Sequence, residues 1–233
     1  GQNAVTMVRV KVGDELGQIY GPVFDGVNAD GSIKFKDVTG DGTLNTDSGN
    51  VLQDDYDGEV LGTGYPTLEM SWSNYIDFGK GWSVNAFFRG AFGHSLINTF
   101  RAFYEPNVPS QTSYNQMNTS LREPTLGVAQ YSSLYVEKAD FFLLDNLTIS
   151  KQIILPEGSG IKDLTVSLNA LRPFVLTSYT GTDPSPELFD SLGGGEEGVE
   201  AGSDGAALLA PGIDRRQDYF QSKTFSIGLS VNF

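Results

Sequence analysis

The C-terminal segment does most to constrain what this chain can fold into. Phe225, Ile227, Leu229, Val231 and Phe233 alternate with Thr224, Ser226, Gly228, Ser230 and Asn232. Successive side chains of a strand point to opposite faces, so this is a strand with one apolar and one polar face. The period recurs upstream. Leu68, Met70, Trp72, Ile76 and Phe78 alternate with Glu69, Ser71, Ser73 and Asp77. Trp82, Val84, Ala86, Phe88 and Phe92 alternate with Ser83, Asn85 and Arg89, and Leu164, Val166, Leu168 and Ala170 with Thr165, Ser167 and Asn169. Phe141, Leu143, Leu147 and Ile149 read as one face less cleanly, because Phe142 and Leu144 intrude and Asp145 falls on the apolar side. Near the start, Val8, Val10 and Val12 alternate with Arg9 and Lys11. Six strands are expected, several about ten residues long, closer to a tilted membrane crossing than to a soluble strand of roughly 5–6 residues.

The connections alternate too. Gly79-Lys80-Gly81 and the segment around Pro156-Glu157-Gly158 are tight turns, whereas 13–66, 93–138 and 177–220 are long. Long structureless loops are uncommon in compact soluble domains, while short turns on one side and long loops on the other typify outer-membrane barrels. With the last strand ending on the periplasmic side, both short turns fall there as well. Six strands cannot close a membrane barrel, whose smallest members have about eight, and open edges are not tolerated in lipid. The sheet is therefore expected to be completed by strands outside this sequence. The opening Gly1-Gln2-Asn3, with neither initiator Met nor signal segment, gives the same expectation of a piece of a longer polypeptide. The Gly193–Gly205 stretch, rich in Gly and acids, reads as a solvated loop tip.

Composition narrows the classes further. The formal net charge is −14, which disfavours nucleic-acid binding and suits a calcium-rich exterior. Cysteine is absent, so disulfides and thiolate metal sites are excluded. No run of about 18 apolar residues exists, so no transmembrane helix is expected, which leaves a membrane barrel open.

Several motifs, in order along nearly the whole chain, resemble the C-terminal part of SusC/RagA-type TonB-dependent transporters. Gly17-Gln18-Ile19-Tyr20-Gly21 and Asp25-Gly26-Val27 resemble the segment before that family's calcium-like loop. Asp37-Val38-Thr39-Gly40-Asp41-Gly42 resembles its Asp-x-Asn-Gly-Asp-Gly run. Gly64-Tyr65-Pro66, Ser73-Asn74-Tyr75 and Phe92-Gly93-His94 look like its strand pair and following loop. The segment from Tyr135 through Val136-Glu137-Lys138 and Phe141 to Thr148 is similar to its most recognisable stretch. Tyr179-Thr180-Gly181-Thr182-Asp183-Pro184, with the later Glu187, resembles a Tyr-x-Gly-x-Asp-Pro-Glu element. Two departures stand out: Leu171-Arg172-Pro173-Phe174 replaces a frequent Asn-Leu-Phe, and Ser185-Pro186 displaces Glu187.

The resemblance implies an all-β, antiparallel transmembrane β-barrel segment, about six strands of a 22-stranded barrel with long extracellular loops. Residues 1–233 would be the C-terminal portion of the barrel, with the plug domain and N-terminal strands outside this sequence. It also implies an importer of glycans or peptides in the outer membrane of a Gram-negative, Bacteroidota-type bacterium. The implied partners are a SusD-like surface lipoprotein, the TonB complex (reached through the missing N-terminal part) and outer-membrane lipid. The Phe233 terminus resembles the signal read by the outer-membrane assembly machinery, an amphipathic edge strand offered for strand addition. No organic cofactor and no enzymatic activity are implied. Two alternatives remain: a structural subunit built on the same barrel, and a secreted β-sandwich binding carbohydrate through a calcium-pinned loop.

One motif carries candidate chemistry. Asp37, Thr39 and Asp41 stand at positions one, three and five of a calcium-type loop, with Gly42 at the turn. Thr43 would offer its carbonyl and Asn45 its side chain; Ser48 replaces the acid expected at position twelve, and Asp47 comes one residue early. The plainer reading is a polar turn capped by its own side chains. Asp54, Asp55, Asp57 and Glu59 read as a solvated acidic loop rather than a glycosidase pair. His94, the only histidine, shows no nucleophile elbow around it and is expected at a strand rim. Trp72, Trp82, Tyr75, Phe78, Phe92 and Tyr135 are expected as an interfacial aromatic girdle. Tyr104, Tyr114 and Tyr131 are open to sugar stacking or to a partner surface.

Overall fold

The computed structural model describes residues 4–108, 116–158, 160–185, 211–215 and 221–233. Glu187, Tyr114 and the 193–205 stretch lie outside them. In chain order the strands are β1 (Val8–Arg9), β2 (Gln18–Gly21), β3 (Phe24–Val27), β4 (Ile33–Phe35), β5 (Glu59–Thr63), β6 (Leu68–Gly79), β7 (Trp82–Phe92) and β8 (Ser95–Asn98). The helix α1 (Thr99–Tyr104) follows, then β9 (Val136–Lys138), β10 (Phe141–Ile154), β11 (Asp163–Thr177), β12 (Ile213–Asp214) and β13 (Thr224–Asn232). All pairings are antiparallel except β12 with β8. The all-β, antiparallel expectation is met, and no helix among the described residues is long and apolar enough to cross a membrane. The chain divides into two units.

One unit comprises Leu68–Phe92, Asp140–Ser178 and Phe220–Phe233. Its five long strands form one sheet in the order β13-β11-β10-β7-β6. Register shows why the alternation reads through. Trp72 pairs with Phe88 and Phe88 with Leu144; Ile149 pairs with Leu168, and Leu168 with Ile227. Apolar residues of every strand thus share one face. Trp72 stacks on Phe88 at 5.5 Å between centroids, and Phe88 on Phe142 at 5.6 Å, a ladder across three strands. This face lies open: Ile227 is 80% exposed, and Leu229, Phe225, Trp72 and Phe78 are exposed with it.

The irregular pattern in β10 has a physical cause. Register shifts at Asp145, between Leu144 and Asn146, against both neighbours. An extra residue in a strand reverses the parity of everything after it. Phe142 and Leu144 therefore share the apolar face with Leu147 and Ile149. Phe141 and Leu143, expected on that face, lie on the other, where they bury with Ala91 against Val175. That second face also carries Phe87 and Leu171 and is otherwise largely polar: Arg89 Nε reaches Asp145 Oδ2 at 2.9 Å, and the Thr148 hydroxyl donates to Asn169 Oδ1 at 2.9 Å.

The tight turns sit at one edge of the sheet. Trp82 pairs with Lys151, Ile154 with Asp163 and Asp163 with Asn232, so both turns and the C-terminus share it. Gly79 and Gly81 carry positive φ in the first turn, and a Cβ on Gly81 would stand 2.2 Å from the Gln152 carbonyl.

The other unit comprises Gly1–Thr67, Gly93–Ala139 and Tyr179–Tyr219. Its sheets are small: β1-β2-β5, β12-β8-β9 and the β3-β4 hairpin. Ile19, Ile97, Met7 and Ile213 form one core; Ile33, Phe35, Ala102, Leu126 and Tyr135 form another. Three expectations are corrected here. The long connections carry strands and cores of their own. The strand expected at Val8–Val12 stops after Arg9, because Asp14 N–H turns back to the Lys11 carbonyl and Gly13 takes a φ of 95°. Tyr135 is a fully buried core residue, not part of an interfacial girdle.

Candidate functional site

The Asp37–Asp47 loop is organised by carboxylates accepting backbone N–H groups. Asp37 Oδ1 accepts from Gly40 N–H at 2.6 Å, and Oδ2 from Gly42 N–H at 2.9 Å. Asp41 accepts from Thr43 N–H at 2.7 Å, and Asp47 caps the Ser48–Asn50 turn through Gly49 N–H at 2.9 Å. Positive φ at Gly40 (74°) and Gly42 (81°) lets the amides turn inward.

The hub is Asp57, expected to be solvated and instead fully buried. Its Oδ1 accepts from Val38 N–H (2.8 Å), Thr39 N–H (3.0 Å) and the Thr39 hydroxyl (3.1 Å); Oδ2 accepts from Asn45 N–H (2.8 Å). The Asp57 N–H in turn donates to the Asn45 carbonyl at 2.8 Å. Burial pushes this carboxyl up, but the N–H and hydroxyl donors outweigh it and hold the pKa below the ordinary value. Among the described residues no three acidic or histidine side chains converge as a metal cluster. Asp37 and Asp41 are the two charged donors that the 37–45 stretch offers, with Thr39, Thr43 and Asn45 neutral.

A second polar assembly was not anticipated. Arg101, on α1, is 3% exposed and bonds Glu105 Oε1 at 2.9 Å and Glu137 Oε1 at 2.8 Å, with further bonds to the Leu134 and Leu121 carbonyls. Asn98 caps the helix through Arg101 N–H and donates to Glu137. Glu137 also accepts from Thr180 N–H and its hydroxyl. Burial raises the Glu137 carboxyl, yet the bonds from Arg101 and Thr180 bring it below its usual value. Beside it, the Tyr179 hydroxyl donates to Asp214 Oδ2 at 2.6 Å, and Thr182 gives Asp214 its N–H and hydroxyl. Desolvation dominates at Asp214 and raises its pKa. The Tyr179–Pro184 element is thus pinned at both ends, since His94 Nε2, on a buried ring, bonds the Pro184 carbonyl at 2.9 Å.

The remaining expected residues are dispersed. Asp54 and Asp55 are exposed, as a solvated loop requires, and Asp57 alone of the three is buried. Tyr131 packs against both cores, and Tyr104 lies tilted against Phe100 and edge-on to Phe103. Phe78 and Trp82 stand at the turn edge of the five-stranded sheet and Phe92 at the other; Trp72 is central, and register puts Tyr75, paired with Asn85, on the polar face. Phe233 is exposed just beyond β13. For Arg101, a lone cation in the aromatic run Thr99-Phe100-Arg101-Ala102-Phe103-Tyr104 was an available sign of burial with partners. Nothing local marked Asp57 or Asp214.

No protein-family model matches this sequence, and no curated protein matches it. Its fold is shared by solved structures, among them three of one peptide transporter. A structure of the RagAB peptide transporter aligns over 93% of this chain with a TM-score of 0.63 and 21% identity. The RagAB peptide importer in its open-open state aligns over 93% at 0.61 and 21%, and in its closed-closed state over 91% at 0.58 and 18%. The chain spans 22% of the length of each of those chains. At such identity the likeness establishes fold: this chain has the architecture of one section of a peptide-transporter chain.

Proposed function

We propose that this chain is the C-terminal section of an outer-membrane importer whose five long strands span the bilayer as part of a larger barrel. The observation that carries this is the predominantly apolar face, uncovered by any other layer among the described residues of its unit, opposite a face that carries hydrogen-bonded polar side chains. Strands of nine to fifteen residues reach across a hydrocarbon core. A β-sandwich would bury such a face against a second sheet, so the observation counts against the secreted lectin reading. The shared fold with a peptide transporter supports peptides as cargo, with glycans as the alternative. A SusD-like lipoprotein lid, TonB energisation and an assembly signal at Phe233 are part of the same proposal.

The test is uptake of labelled peptides and oligosaccharides by cells carrying the intact protein. Energy-dependent uptake lost on TonB deletion supports an importer. Uptake indifferent to TonB, with the barrel still in the outer membrane, favours the structural-subunit reading. For the loop we propose calcium binding through Asp37, Thr39, Asp41, Thr43 and Asn45, with Asp47 at its margin. With few charged donors the affinity belongs to the weak range of about 10⁻⁴–10⁻³ M. Calorimetric titration of the intact protein checks it, and absence of binding heat at millimolar calcium removes the metal.

A further inference from the structure

The apolar face of the long sheet is interrupted by the polar Asn74 in mid-sheet and by one charge near the turns. Among its register-paired residues, Lys151 is the charged side chain on that face, in a row with Trp82, Val166 and Leu229. A single further row, Ile153 with Leu164 and Val231, separates it from the turn edge. That row is about 7 Å along the strand, within reach of a lysine stem. The side chain makes the reach: its ammonium lies 5.2 Å from the Trp82 ring centroid and donates to the backbone carbonyl of Lys80 in the Gly79–Gly81 turn. The ammonium has three donors, and this bond uses one. Lys80, exposed in the same turn, adds a second positive charge. Two acids at this edge turn away. Asp77 and Asp163 fall on the polar face by register, where Asp77 accepts from Gly79 N–H and Asp163 from Asn232 Nδ2.

We propose that Lys151 and Lys80, with the Trp82 indole, bind the phosphate of an anionic phospholipid at the turn-side rim of the barrel. The inference rests on the membrane-spanning reading above. Charge complementarity selects the ligand: the Lys151 ammonium stands beside the Trp82 indole at the turn edge, with a second lysine in the adjoining turn, on a protein whose net charge of −14 otherwise repels anionic lipid. The alkyl part of the lipid would lie on Trp82, Val166 and Leu229, and the phosphate would take the free Lys151 donors.

The experiment is fluorine NMR of the intact protein, labelled with fluorotryptophan, in zwitterionic micelles titrated with phosphatidylglycerol. The Trp82 line is assigned by its loss in Trp82→Phe, and the Trp72 line likewise by Trp72→Phe. The expected result is a saturable shift of the Trp82 line with phosphatidylglycerol and none with phosphatidylcholine or inorganic phosphate. Lys151→Gln should weaken the apparent affinity roughly fivefold, and Lys151→Arg should retain it. An equal response to both lipids, a response to free phosphate, or a titration unchanged in Lys151→Gln overturns the proposal. Broadening of the Trp72 line by a spin-labelled acyl chain reports on the membrane reading separately. Broadening without a headgroup response sinks the lipid site alone; no broadening sinks both.

Discussion

Replacing Asp57 with Ala removes one acceptor group from four donors: the N–H groups of Val38, Thr39 and Asn45 and the Thr39 hydroxyl. Hydrogen bonds to a charged acceptor contribute about 1.5–3 kcal/mol each. Their full total overstates the loss, because the loop can open and let water reach the freed amides. A local cost of about 3–5 kcal/mol follows. Amide hydrogen exchange reads it directly, with protection at Val38, Thr39 and Asn45 falling by roughly a hundredfold to a few thousandfold. Asp57→Asn separates the two oxygens. With its carbonyl in the Oδ1 position, Val38 and Thr39 keep an acceptor, while Asn45 N–H faces an amide donor and loses protection alone. The pH dependence has a fixed sign. The folded pKa lies below the unfolded value of about 3.9, so the stabilisation is complete at neutral pH. It is lost as pH falls from about 4 through the lower folded value. Protection at the three amides within threefold of the parent in Asp57→Ala would refute the hub role.

Arg101→Ala leaves Glu105 and Glu137 buried without their cation, and should cost about 3–5 kcal/mol; thermal melting of the purified protein measures it, and Arg101→Lys should rescue little because one ammonium cannot reproduce the forked bonds to both carboxylates. Asp214→Asn keeps an acceptor for the Tyr179 hydroxyl and gives Thr182 a compatible amide, so it should cost less than about 1 kcal/mol, against about 3 for Asp214→Ala. Because the folded pKa of Asp214 is raised, its ionisation weakens the parent as pH climbs through that range, and the Asn variant should gain on the parent there in melts taken across pH. Gly81→Ala drives a Cβ against the Gln152 carbonyl at a positive φ, so the β6–β7 turn should lose folding yield, seen as a smaller heat-modifiable band on gels.

The sheet was legible because a sheet with one apolar and one polar face leaves a period-two trace that needs no knowledge of partners. Where the trace broke, at Phe142, Leu144 and Asp145, the break was itself the signature of a bulge: apolar residues on even positions before it, on odd positions after it. The alternation at Val8–Val12 was misleading for the complementary reason. Period two is what a strand needs, but a strand also needs a neighbour to bond, and Val10 and Val12 have none in the β1-β2-β5 sheet.

The second unit was opaque because its order comes from polar contacts between residues remote in sequence. Thr99 donates to the Asp214 carbonyl across 115 positions, and Thr180 to Glu137 across 43. No local pattern records such pairs. A carboxylate that caps three amides has the same neighbours in sequence as one left in water, which is why Asp57 and Asp55 look alike until folded. The strongest local evidence lay in residue types that burial forbids unless they are paired. Arg101 sits among aromatic residues in a six-residue helix that cannot be stable by propensity alone. A cation there has to find carboxylates, and the two it finds, Glu105 one turn on and Glu137 in β9, tie the helix to the strand that leads into the Phe141–Thr148 segment. The motif most recognisable in sequence therefore begins at a buried ion pair, with its first charged residue, Glu137, held between Arg101 and Thr180.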